Sequence, residues 1–93
     1  MIGSKRFTAD GVVGISGSPV RVFNVEMLND ASVGELVLRN GTADSATIYV
    51  KKNGATVSDT DTYSWQGGLL FPDGCFFDKD TNTVAAVISY EAV

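Results

Sequence analysis

Glycines and turn-forming residue pairs interrupt this chain about every dozen residues, so no segment repeats apolar residues long enough to form an amphipathic helix. Between these breaks the apolar residues fall at every second position, which is the period of a strand with one buried face. Strands without an intervening helix pair antiparallel. We therefore predict an all-β fold, a small antiparallel β-sandwich that is jelly-roll-like or immunoglobulin-like, with about seven or eight short strands.

The strongest strand signal covers residues 19–28. Its apolar residues alternate up to Val22 and then resume one position early at Phe23. A change of phase inside one strand is what a β-bulge produces, because the extra residue turns the following side chains to the other face. We therefore predict a bulge near these two residues.

Other strands are predicted between the turn signals, at residues 12–15 (a short edge strand), 33–39, 46–51, 63–65, 69–71, 75–77 and 83–90. In segment 46–51 the alternation turns Ile48 toward the core together with Val50. In segment 83–90 it places Val84 on the same face as Ala86. These assignments depend on an uninterrupted period of two.

The length of 93 residues allows one domain with one hydrophobic core, so residues 1–93 are treated as a single sandwich. A core this small gains burial by self-association or by docking on a larger body. Residues 1–9 precede the first predicted strand and form a candidate N-terminal arm, the alternative being a disordered terminus. Its candidate interface residues combine apolar and basic side chains: Ile2, Lys5, Arg6 and Phe7.

Most enzyme chemistry lacks its residues here, because the chain has no histidine and Cys75 is its only cysteine. A structural zinc site needs several such ligands, and a catalytic thiol needs a base to activate it. A net charge of −4 without basic clusters argues against nucleic acid as a partner. The first residues form neither a signal peptide nor a membrane span. We expect no catalytic residues, no cofactor, no membrane association and synthesis in a cytoplasm.

Aspartates concentrate in the predicted turns, where their side chains cap backbone amides. Residues 78–82 resemble the opening of a calcium loop, with Asp78 and Asp80 in ligand positions. The pattern then fails, because Thr83 stands where the loop needs glycine and Lys79 adds an opposing charge. We therefore expect no metal site.

The aromatic residues of the C-terminal half either fill the core or anchor an interface. We expect most of them in the core, with Trp65 exposed. The adjacent residues Phe76 and Phe77 cannot both point inward from a regular strand, so one of them must face outward. The candidate interface residues in this region are Tyr63, Trp65, Phe76 and Phe77.

Segments 67–78 (GGLLFPDGCFFD) and 84–90 (VAAVISY), together with 15–25 (ISGSPVRVFNV), resemble small virion proteins of tailed bacteriophages. These proteins carry a glycine, an apolar pair, Phe, a short turn and an aromatic-Asp segment before a valine-rich last strand. The resemblance implies a capsid decoration or cement protein on the outer face of a phage head. It also implies the major capsid protein as partner, a homo-oligomer with a trimer favoured, and a place on the virion surface after assembly in the host cytoplasm.

Two other functions fit the same sequence. The first is a phage neck, head-fibre or tail-associated structural subunit. The second is a carbohydrate-binding β-sandwich module that uses Tyr63 and Trp65 as a platform for sugar rings. The resemblance carries over no individual binding residue.

The incomplete acidic loop predicts that calcium does not contribute to folding. The melting temperature should be the same in chelator and in excess calcium, measured by circular dichroism. A shift of several degrees would contradict the prediction.

Overall fold

Residues 2–93, the part of the chain that the computed structural model describes, form eight strands and no helix. The strands are β1 Gly3–Phe7, β2 Gly11–Val13, β3 Val20–Asn29, β4 Glu35–Asn40, β5 Thr47–Asn53, β6 Thr60–Phe71, β7 Cys75–Phe77 and β8 Thr83–Ala92. The predicted all-β class is confirmed.

Two antiparallel four-stranded sheets account for all eight strands of residues 2–93. Sheet A has the order β1-β8-β3-β6, and sheet B has the order β2-β7-β4-β5. An immunoglobulin-type sandwich pairs its first two strands in one sheet, whereas here β1 and β2 lie in different sheets. The strand order is that of an eight-stranded jelly roll.

The bulge predicted in β3 is present. Pairing with β8 skips from Val22 to Asn24, which leaves Phe23 as the extra residue. The pairing of β3 with β6 is interrupted at the same place: Val22 is opposite Leu69 and Asn24 is opposite Ser64. Within this interruption, Gly67 and Gly68 both adopt positive φ angles. A side chain on Gly68 would also collide with Phe23 and with Arg21, so glycine is required there.

Two further bulges overturn sequence expectations. The β4–β5 register skips Tyr49, and the β3–β8 register skips Val84. Because an extra residue reverses the alternation, Ile48 faces outward and is 42% exposed rather than buried. Val84 is 46% exposed although Ala86 is buried.

The core lies between the two sheets. Phe71, Phe77 and Met27 are its largest fully buried side chains. Phe7 packs against Phe77 with ring centroids 5.6 Å apart and an interplanar angle of 56°. These aromatic side chains fill the gap of about 10 Å that separates stacked sheets.

The N-terminal segment forms an edge strand in this structure. Residues Gly3–Phe7 pair antiparallel with β8, from Gly3 opposite Tyr90 to Phe7 opposite Ala86. Phe7 is buried in the core. Of the arm predicted over residues 1–9, Met1 lies outside the described residues, and a docking role for the segment stays a prediction.

A polar network around the buried side chain of Asn29 joins two loops to the sandwich at one end. The Asn29 side-chain amide donates hydrogen bonds to Asp61 Oδ2 at 2.7 Å and to the Thr56 carbonyl at 3.0 Å. Its Oδ1 accepts a hydrogen bond from the Gly34 amide at 3.2 Å. Asp61 Oδ2 also accepts a hydrogen bond from the Ala55 amide at 3.1 Å. The loops after β3 and β5 are therefore fixed by one amide and one carboxylate.

The Asp61 carboxylate predicts an acid-sensitive contribution to stability. Burial raises its pKa, but the hydrogen bonds from Ala55, Asn29 and Thr56 outweigh burial and hold the pKa below its usual value. A lowered native pKa stabilises the fold above the unfolded pKa of about 4, and this contribution is lost as the pH falls through the native pKa.

We expect Asp61→Asn to lower the free energy of unfolding by about 1–2 kcal/mol at neutral pH. The difference from the original chain should shrink as the pH falls below about 4. Urea denaturation at several pH values measures this, with the exposed Asp44→Asn as the control. An equal loss at every pH would contradict the role of the charge.

Candidate functional site

The ionisable groups with shifted pKa values are part of the packing. Burial raises the pKa of the Cys75 thiol to about 12, so it is not a nucleophile at neutral pH. Burial, followed by the nearby Asp61 charge, raises the pKa of Tyr63. Asp61 itself is committed to the loop hydrogen bonds described above. Cys75 is fully buried in the core.

The buried thiol predicts low reactivity in the folded protein. We expect Cys75 to react with a thiol reagent at least about a hundredfold more slowly in buffer than in concentrated urea, because the thiolate is scarce and the sulfur is covered. The rate is measured with a thiol reagent that releases a chromophore on reaction, by following the absorbance of that product. Equal rates in the two solvents would show that the strand β7 opens freely.

Turn aspartates act as acceptors for nearby amides. Asp80 Oδ2 accepts a hydrogen bond from the Asn82 amide at 3.0 Å, as predicted for a turn. Asp10 Oδ1 accepts one from the Lys79 amide at 2.7 Å, and Asp73 is paired with Asn40. In the described part of the chain, no group of three or more Cys, Asp or Glu side chains is placed to hold a metal ion.

The structure separates the interface residues predicted from the sequence. Ile2, which precedes β1, and Lys5 and Arg6 within it are exposed, and Lys5 Nζ lies 5.0 Å from the ring centroid of Phe7. Phe7 is buried because β1 turns it toward the core, so it is unavailable as a surface residue.

The C-terminal candidates lie elsewhere in the sandwich. Tyr63 and Trp65 are partly buried and pack against the core, so the predicted exposure of Trp65 is only partial. Phe77 is fully buried and cannot dock a partner, whereas its neighbour Phe76 is half-buried and faces outward. The expectation that one member of this pair faces outward is confirmed.

A continuous row of side chains crosses the outer face of sheet B. Val12 in β2 is opposite Phe76 in β7, Phe76 is opposite Arg39 in β4, and Arg39 is opposite Ile48 in β5. Antiparallel partners place their side chains on the same face. We call these four residues the sheet B row. Three of its four side chains, all except Arg39, are apolar.

The Arg39 side chain in this row is fixed by two hydrogen bonds. Its Nε donates to Asp78 Oδ2 at 3.0 Å, and its Nη1 donates to the Ala46 carbonyl at 2.8 Å. Its side chain is 19% exposed. A guanidinium fixed in this way loses little conformational entropy when a partner covers it.

A polar groove of about 230 Å³ adjoins the sheet B row. Val37 lies in it and charges of both signs line it, from Glu35, Lys51, Asp78, Lys79 and Asp80. An apolar row beside a polar rim is the composition of a protein interface.

Comparisons with models of known protein families, with curated proteins and with solved structures gave no match. Residues 2–93 contain no helix long and apolar enough to cross a membrane.

Proposed function

We propose that this domain is a structural virion protein, a capsid decoration or cement protein that binds the outer face of a phage head. The sheet B row is the observation that carries the proposal. It offers Phe76, Ile48 and Val12 as apolar contacts around the fixed guanidinium of Arg39. Aromatic and arginine side chains are the residue types that contribute most to protein interfaces.

The resemblance of segments 15–25, 67–78 and 84–90 to small tailed-phage virion proteins supports a phage shell as the partner. The jelly-roll strand order is compatible with this role, and it also occurs in lectins and in enzymes. The fold alone therefore does not distinguish these functions, and the exposed surface must do so. The sheet B row fits a protein partner because its apolar side chains lie on one open face.

Docking would benefit both partners. The domain gains cover for Ile48 and Phe76, and a shell gains a ligand that binds only its assembled form. Joints between major capsid subunits are the places where one small domain can contact two subunits at once. A cement protein at a joint raises the temperature at which the shell opens.

The geometry favours a sugar platform less. Sugar binding needs open aromatic faces, whereas Tyr63 and Trp65 are both partly buried against the core. A neck, head-fibre or tail-associated subunit would use the same kind of protein-binding surface. Only a binding experiment distinguishes that role from decoration of the shell.

The test mixes the purified domain with shells of the phage that encodes it, prepared without it. We expect the original chain to bind shells and to raise their thermal resistance, measured by co-sedimentation and by light scattering on heating. Ile48→Asp should weaken binding at least about tenfold, because a charge would enter an apolar contact. Phe76→Ala should weaken it by a similar factor.

The matched control is Ile15→Asp, which makes the same chemical change at a loop residue that is 69% exposed. It should bind like the original chain, and circular dichroism should give the same fold for all variants. Failure of the original chain to bind shells would refute the proposal, and binding to tails alone would favour the tail-associated role. An equal loss of shell binding by Ile15→Asp would show that the sheet B row does not form the contact with the shell.

A further inference from the structure

The outer face of sheet A carries a second row, with opposite charges on either side of a small apolar residue. Arg6 in β1 is opposite Val87 in β8, and Val87 is opposite Glu26 in β3. Adjacent strands are about 4.8 Å apart, so the two charged residues stand about 10 Å apart across Val87. We call these three residues the sheet A row.

Neither charge of the sheet A row is neutralised within the described residues. Among the described residues, neither the Arg6 nor the Glu26 side chain has an ion-pair or hydrogen-bond partner, in contrast to Arg39, which is paired with Asp78. Both residues are exposed. Their charges are therefore available to a partner.

A shallow groove of about 170 Å³ lies along the sheet A row. Arg6, Glu26, Leu28, Ala85 and Val87 line it. Leu28 is 37% exposed at the side of the groove, beside its strand partner Ala85. Pairing of β1 with β8 stops at Phe7, so the strand neighbour on the other side of Ala85 is missing and the face is indented there.

We propose that a second copy of this chain docks on the outer face of sheet A, about a two-fold axis that runs parallel to β8 above Val87. This axis exchanges the two sides of β8, so Arg6 of each copy faces Glu26 of the other. An axis across the strands would instead bring Arg6 to Arg6. The charge pattern therefore selects one of the two face-to-face arrangements.

The same axis places Leu28 of one copy over the indentation beside Ala85 of the other. An apolar side chain then enters a groove lined by small side chains, flanked by two ion pairs. The two longer dimensions of the domain are 35 and 26 Å, which gives a face of the size that contributes about 800 Å² per partner in stable complexes. Two sheets packed in this way are nearly aligned.

The proposal is independent of capsid binding, because it uses the opposite face of the sandwich from the sheet B row. It also differs from the trimer implied by the phage resemblance, since an isologous pair closes after two copies. The expected species has twice the chain mass of 9.8 kDa.

Charge reversal tests the arrangement by sedimentation equilibrium. We expect Arg6→Glu and Glu26→Arg each to raise the dimer dissociation constant at least about tenfold, because like charges then face each other twice. The double variant should recover dimerisation, and so should a mixture of the two single variants. Lys52→Glu and Asp44→Arg make the same charge changes away from the face and should leave the dimer unchanged.

Circular dichroism and melting of each variant separate loss of dimer from loss of fold. A monomer or a trimer of the original chain at all accessible concentrations would overturn the proposal. So would single reversals that dimerise like the original chain, or a double variant that stays as weak as the singles. Recovery by both the double variant and the mixture would establish the Arg6–Glu26 contact between copies.

Discussion

The pairing of β8 on both of its sides is the interaction on which the rest of the molecule depends. The last strand of the chain lies between the first strand and β3, so sheet A is complete only when both ends of the sequence are in place. Its loss would separate β1 from the sheet and remove Ala86 and Ile88 from the core. Contacts between distant residues must overcome the entropy of closing long loops, so such a sandwich folds slowly for its size. Arg6 lies opposite Val87 only because β1 pairs with β8.

The β-bulges decide which apolar side chains reach the surface. In β5 the extra residue Tyr49 reverses the alternation, and its ring lies against Phe71 with centroids 5.5 Å apart. The reversal moves Ile48 from the core to the outer face, opposite Arg39. Without the bulge at Tyr49, Ile48 would face the core, and Arg39 would be the last residue of the sheet B row. A local irregularity in a ladder therefore produces a candidate binding surface, which agrees with the frequent occurrence of bulges at functional places in sheets.

The sequence analysis succeeded where the signal lies within one strand. The phase change at Phe23 is visible because apolar residues stand on both sides of it, and Phe76 and Phe77 must diverge because they are neighbours. It failed at Tyr49 and Val84, where an uninterrupted alternation conceals a bulge that depends on the partner strand. It also missed β1, whose residues Gly3–Phe7 show no alternation and pair because β8 presents a free edge. The sheet B row was out of reach for the same reason, since a row across four strands requires the registers of three ladders.

The two faces of the sandwich impose a geometric relation between the two proposed contacts. Sheets A and B are separated by the core, so their outer faces point in opposite directions. When two copies join through sheet A, their sheet B rows point away from each other, and one shell surface can contact only one of them. A shell-bound dimer then carries two copies for each docking site, whereas a monomer carries one. Because the charges of the sheet A row and the apolar side chains of the sheet B row have no residue in common, a change in one contact leaves the other intact. If both proposed contacts form, the sheet A row sets the number of copies on each docking site, while the sheet B row sets the affinity for the shell.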